Sequence, residues 1–168
     1  ALGICTMYQA NQFNLIGEGV FFFGGAIATY VAINTDLPVI IHPAVCIIVA
    51  GIVGAMFASI PAILKVKWKA NEVVSSIMMN YILQFGGLYL FMYHMKDIKS
   101  GYNASYLIPT TAKLPVIVPK TRIHFGAIIA IAFIIIVYVV IYKTKWGYAI
   151  RLTGANPSFS TYSGITTS

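Results

Sequence analysis

FGAIIAIAFIIIVYVVIY (125–142), followed by KTKWGYAIRLTGANPSFSTYSGI (143–165), decides how this chain is read. The first stretch is uncharged and apolar throughout, close to the run of about 20 residues that crosses a bilayer. The second returns to polar, Gly- and Pro-containing sequence. Lys143 and Lys145 beside Trp146 form an interfacial anchor. Gly147 lets the chain turn. Tyr148–Thr153 is predicted as a short helix, with Gly154 suited to a left-handed C-cap. Asn156 and Pro157 then read as the cap and first position of a second short helix over Ser158–Tyr162, closed by Gly164. A membrane helix thus delivers a compact, structured element to one face of the membrane.

Composition agrees. Of 168 residues, 59% are hydrophobic and 9% charged, and mean hydropathy is +0.83. A soluble domain carries about 25% charged residues, so this chain has too few to cover a globular surface in water. Four membrane segments are predicted, at about 13–33, 39–60, 73–93 and 125–142. The fold class is all-α, a polytopic helical membrane protein, read as one transmembrane domain over 1–168. The net charge of +7 does not point to nucleic acid, because the basic residues sit at span ends beside Trp68 and Trp146. Cys5 and Cys46 form no disulfide or metal pattern. The chain starts at Ala1 without initiator Met or signal segment, and is expected to be an internal portion of a longer membrane protein.

The first segment is irregular. Gly17-Glu18-Gly19 puts a carboxylate between two glycines. One reading is a broken or re-entrant helix, with Glu18 buried against protein and accepting from exposed backbone N–H groups. The other is an ordinary helix start, with Glu18 in its first turn. The second segment carries Gly51/Ala55 and Gly54/Ala58, small pairs that suit close helix packing, and Pro61 marks its end or a late kink. The third opens with Asn71-Glu-Val-Val-Ser-Ser-Ile-Met-Met-Asn-Tyr. Glu72, Ser76, Asn80 and Gln84 recur at i+4 and form one polar row on an apolar helix. Such a row faces protein or a pathway, not lipid. Interhelical bonding and a translocation pathway both account for it, with Ser76 and Asn80 nearest any pathway. The fourth segment has no polar row and reads as a lipid-facing helix.

No P-loop, catalytic constellation or metal-ligand spacing is visible, so no cofactor and no catalytic residue is expected. His42, His94 and His124 read as boundary residues. Asn103-Ala-Ser105 matches a glycosylation acceptor by pattern alone.

Three segments together carry a family resemblance: FNLIGEGVFFFGGAIATYVA (13–32), KWKANEVVSSIMMNYI (67–82) and KTKWGYAIRLTGANPSFSTYSGI (143–165). They resemble the nucleoside-type permeases of bacterial ABC importers, within the wider group that includes ribose and branched-chain amino-acid permeases. Two departures stand out. Val20 follows Gly19 where the family has Gln, and Ser158-Phe-Ser-Thr follows Asn156-Pro157 where it has an acidic residue and alanines.

The resemblance implies a permease subunit in the bacterial plasma membrane. Its partners would be a separate ABC ATPase, a second permease subunit, an external nucleoside-binding lipoprotein and membrane lipid. Residues 143–168 would be the cytosolic coupling segment, with Gly147, Arg151, Gly154, Asn156, Pro157 and Gly164 docking the ATPase and Arg151 reaching acidic groups. Residues 61–72 would share that side, while 34–38 and the loop 94–124 lie outside. Glu18, Glu72, Ser76, Asn80 and Gln84 are the substrate-pathway candidates. Two other classes compete: a secondary transporter with its site at the broken first span, and a structural or assembly membrane module.

Overall fold

The computed structural model describes residues 2–39, 41–97, 105–115 and 124–163. Seven α-helices occur among them: α1 (Leu2–Gln9), α2 (Gly17–Asn34), α3 (Ile41–Trp68), α4 (Glu72–Leu90), α5 (Gly126–Lys143), α6 (Lys145–Ala155) and α7 (Pro157–Tyr162). A π-helical turn, Phe91–Met95, extends α4, and a 3-10 turn spans Thr110–Ala112. Among the described residues no strand forms, and Lys96 and Ser105 make an isolated bridge. The protein is therefore all-α and polytopic.

Three helical stretches are long and apolar enough to cross a membrane: Ile41–Trp68, Glu72–Met95 and Gly126–Lys143. α2 matches α5 in length, at 18 residues, but carries Gly17-Glu18-Gly19 at its start and Asn34 at its end, so it is less apolar than those three. The interruption expected at Gly17–Gly19 lies earlier, over residues 10–16, so those glycines form the first turn of α2. α3 runs past Pro61 to Trp68. Pro61 removes one backbone donor, but it is buried and the apolar sequence continues beyond it, so the helix does not stop there.

The described residues form two compact units, Leu15–Lys113 and Ala1–Asn14 with Leu114–Ser168. In the first, α2 packs on both α3 and α4. Val20 faces Gly54, where an added Cβ would lie 3.1 Å from its Cγ1. The aliphatic Val20 therefore fills the notch that Gly54 leaves in α3. Gly51 and Ala55 remain exposed, so only the Gly54 side of α3 is used for packing within this unit. α4 starts cleanly because Asn71 Oδ1 accepts from Val73 and Val74 N–H, satisfying two orphan donors of the first turn.

His42 is fully buried in the first turn of α3, not at a wet boundary. Its Nε2 lies 3.2 Å from Thr35 Oγ1 and its Nδ1 3.0 Å from Thr111 Oγ1. Thr35 spends its single hydroxyl proton on the Val31 carbonyl, so it accepts from His42, and Nε2 carries the imidazole proton. The ring thereby ties the α2–α3 turn and the 3-10 turn to one end of the unit. His94 and His124 are exposed.

The second unit holds α1 and α5–α7. α5 is exposed along most of its length, with Ile141 its buried residue, which suits a lipid-facing span. Thr144 closes it: its hydroxyl donates to Val140 O and accepts from Gly147 N–H. A Cβ on Gly147 would fall 2.1 Å from Ile141 O, so the tight passage from α5 to α6 demands glycine there.

Candidate functional site

The polar row of α4 meets the start of α2. Leu15 N–H donates to Ser76 Oγ at 3.2 Å, and Gly19 N–H to Asn80 Oδ1 at 2.5 Å. The two pairs are each 61 residues apart in sequence, which sets α2 and α4 parallel and in register. Ile16, at the N-cap of α2, supplies no side-chain cap. Asn80 of α4 takes that role across the interface. The approach is close enough that a Cβ on Gly19 would sit 2.5 Å from Asn80 O and 2.8 Å from its Oδ1. Further along, Gly87 receives the Phe22 ring, 2.8 Å from where a Cβ would be.

The four members of the row therefore sit in different settings. Glu72 pairs with Lys65 of α3. Ser76 is fully buried, donates to Val73 O and accepts from Leu15. Asn80 caps α2. Gln84 reaches a cleft of about 400 Å³ with Glu18, Phe21, Phe22, Phe85 and Leu88. Glu18 is exposed and in the first turn of α2, which corrects the expectation of a carboxylate buried against backbone donors. Gly19 N–H is met by Asn80 and Leu15 N–H by Ser76 instead. A second cavity of about 290 Å³ shares Phe21 and Phe22 and continues past Thr29 and Gly87 to Met95. Sequence reasoning missed the phenylalanines, although Phe21-Phe22-Phe23 directly follows the polar Gly-Glu-Gly. Among the described residues no cluster of three metal-ligating side chains forms.

The element after α5 is a helical pair. α6 begins at Lys145, earlier than the sequence predicts, and runs through Ala155. Gly154 is inside it and is not a left-handed cap. Its small size is needed because the end of α1 crosses there: a Cβ would lie 2.2 Å from Gln9 O. Asn156 caps α7 by accepting from Phe159 N–H at 3.1 Å, and Pro157 occupies the first turn, both as the sequence predicts. Arg151 does not project outward. Its guanidinium stacks over the Tyr142 ring at 5.0 Å, a cation–π contact with the end of α5. Exposed aromatics cover the pair instead: Trp146 (81%), Tyr148, Phe159 and Tyr162 (92%). Gly164, also expected in this element, lies outside the described residues, as do residues 98–104, Asn103 among them, and 116–123 of the loop 94–124.

Apolar helices long enough to cross a membrane and a polar seam between α2 and α4 define a polytopic helical membrane protein. Residues 1–168 match the family described as branched-chain amino acid transport system / permease component, and the chain belongs to that family. It is 28% identical over 174 residues to the glucose ABC transporter permease protein TsgB13 of Haloferax volcanii, covering 98% of this chain and 46% of that protein. It is 30% identical over 166 residues to the guanosine ABC transporter permease protein NupP of Bacillus subtilis, covering 98% and 48%. A third relative, the nucleoside ABC transporter permease protein NupB of Lactococcus lactis subsp. cremoris, is 27% identical over 179 residues, covering 98% and 48%. The chain spans about half the length of the curated relatives it matches. No solved structure matches it. The protein is thus a multi-pass integral membrane protein of the plasma membrane, and no enzyme family is indicated.

Proposed function

We propose that this chain is part of a transmembrane permease subunit of an ABC importer that moves nucleosides handed over by an external lipoprotein receptor. Residues 1–168 contribute to one transmembrane domain, and ATP hydrolysis resides in a separate subunit. A second permease subunit completes the pathway. The observation that carries this reading is the α6–α7 pair, set directly after a membrane span and coated with exposed aromatics. Tyr and Trp are favoured anchors at protein interfaces because they bury large area at low entropy cost. Gly147 and Gly154 hold α6 rigidly to α5 and α1, so a push on the aromatic face reaches the membrane helices rather than dissipating in a hinge. Arg151 acts here as a brace on Tyr142. On the α2–α4 seam, Ser76 and Asn80 fasten the helices, Glu72 ties α4 to Lys65 of α3, and Glu18 and Gln84 offer polar groups to the transported solute.

The test is a Phe159→Ala/Tyr162→Ala variant of the full-length permease, expressed with its ATPase. Membrane abundance should stay near wild type, while ATPase co-purification and ATP-driven uptake both fall at least about tenfold, the loss of one hot spot. Undiminished co-purification and uptake would remove α6–α7 from the coupling role.

A further inference from the structure

We propose that the cleft lined by Glu18, Gln84, Phe21, Phe22, Phe85 and Leu88 is a nucleobase site that selects 6-oxopurine nucleosides. This rests on the nucleoside-permease reading and goes beyond it by naming the base edge that is read. The cleft's volume of about 400 Å³ falls within the range of small-molecule sites, about 300–1,000 Å³. Its walls are three phenyl rings and a leucine, with Phe21 85% and Phe85 67% exposed. Flat apolar rings stack on the faces of any base, without choosing among them. Choice falls to the two polar side chains in the cleft.

Those two side chains are held in place. Glu18 adjoins Gly19, and Gln84 lies one helical turn beyond Asn80. The Gly19–Asn80 hydrogen bond therefore fixes the rims of the cleft to one another. A carboxylate presents two acceptor oxygens and suits a pair of parallel donors. Guanine offers such a pair, N1–H and the exocyclic 2-amino group, beside an acceptor at O6. The Gln84 amide N–H₂ can donate to O6. Adenine offers the reverse, an acceptor at N1 beside a donor at the 6-amino group. Its N1 lone pair would face the carboxylate oxygens. A primary amide in place of Glu18, with one donor and one acceptor, matches adenine better than guanine.

The experiment is uptake of guanosine and adenosine by the full-length permease with its own ATPase and receptor, in cells lacking other nucleoside uptake. The guanosine-to-adenosine ratio is read within each variant, so it is independent of expression level, and the receptor is the same throughout. Glu18→Gln should shift the ratio toward adenosine by about tenfold, within the discrimination of one bidentate base contact. Gln84→Leu should shift it in the same direction. Phe85→Ala should lower uptake of both nucleosides and leave the ratio unchanged. An unchanged ratio in both Glu18→Gln and Gln84→Leu would overturn the base-reading role while leaving the permease reading intact. No uptake of any nucleoside by the wild type would refute the nucleoside reading, and the base-reading site with it.

Discussion

Gly19→Ala tests the α2–α4 seam most directly. The added methyl would lie 2.5 Å from Asn80 O and 3.0 Å from Asn80 Cα, about 1 Å inside normal van der Waals separation. Both are backbone atoms of a helix, so no rotamer change relieves the clash and the two helices must part. Overpacking of this kind costs about 1–3 kcal/mol. Separation also stretches the Gly19–Asn80 hydrogen bond, leaving a helix-start N–H without its acceptor, a further cost of about 1–3 kcal/mol if it stays buried. The expected total is about 2–6 kcal/mol. Gly25→Ala is the control on the same helix, because nothing lies within 4 Å of its new Cβ. There alanine improves helix propensity by up to about 1 kcal/mol. The assay is thermal inactivation of the purified full-length permease in detergent, followed by uptake. Gly19→Ala should lower the midpoint clearly, and Gly25→Ala should leave it unchanged or raise it. Equal midpoints for the two variants would refute the close parallel packing of α2 on α4.

Gly147→Ala should uncouple α6 from α5, since its Cβ would overlap Ile141 O at 2.1 Å; the expected result is normal insertion with reduced ATPase co-purification, and wild-type co-purification would count against a rigid junction. His42→Phe keeps the ring's bulk but loses the bonds to Thr35 and Thr111. Residues 105–115 should then become more sensitive to limited proteolysis, and Thr111→Val should reproduce part of the effect; unchanged cleavage of both would show that His42 does not hold that turn.

Local signals were legible and distant partners were not. Asn156-Pro157 announces α7 because a cap and its donor lie three residues apart. The α4 row was visible because i+4 spacing is a property of one helix. What each member of the row bonds to was hidden, since Leu15 and Gly19 are 61 residues away from their partners. The i+4 row alone places Ser76 and Asn80 nearest any pathway; the structure adds that their oxygens accept from Leu15 and Gly19, and that Gln84 lines the cleft. Gly154 was misjudged for a related reason. A glycine near a helix end fits both a left-handed cap and a close crossing, and only the position of Gln9 and Ala10 decides between them. α1 was missed because an eight-residue helix owes its stability to packing on α5 and α6 rather than to its own propensity. Pro61 fits either a helix end or a late kink by its own chemistry, and its burial within α3 rules out the end.

The cap that Asn80 provides for α2 has a consequence for biosynthesis. The ribosome completes α2 and the whole of α3 before Asn80 is made. During that interval the first turn of α2 has no side-chain cap, since Ile16 offers none. An N–H left without a partner in hydrocarbon costs several kcal/mol. The start of α2 must therefore stay in contact with water or with the insertion machinery until α4 arrives beside it. The α2–α3 hairpin is consequently not a finished insertion unit. Release of the nascent chain into lipid is set by the third helix of the unit, and substitution of Asn80 should be felt first as delayed or failed integration of a helix that precedes it by some sixty residues.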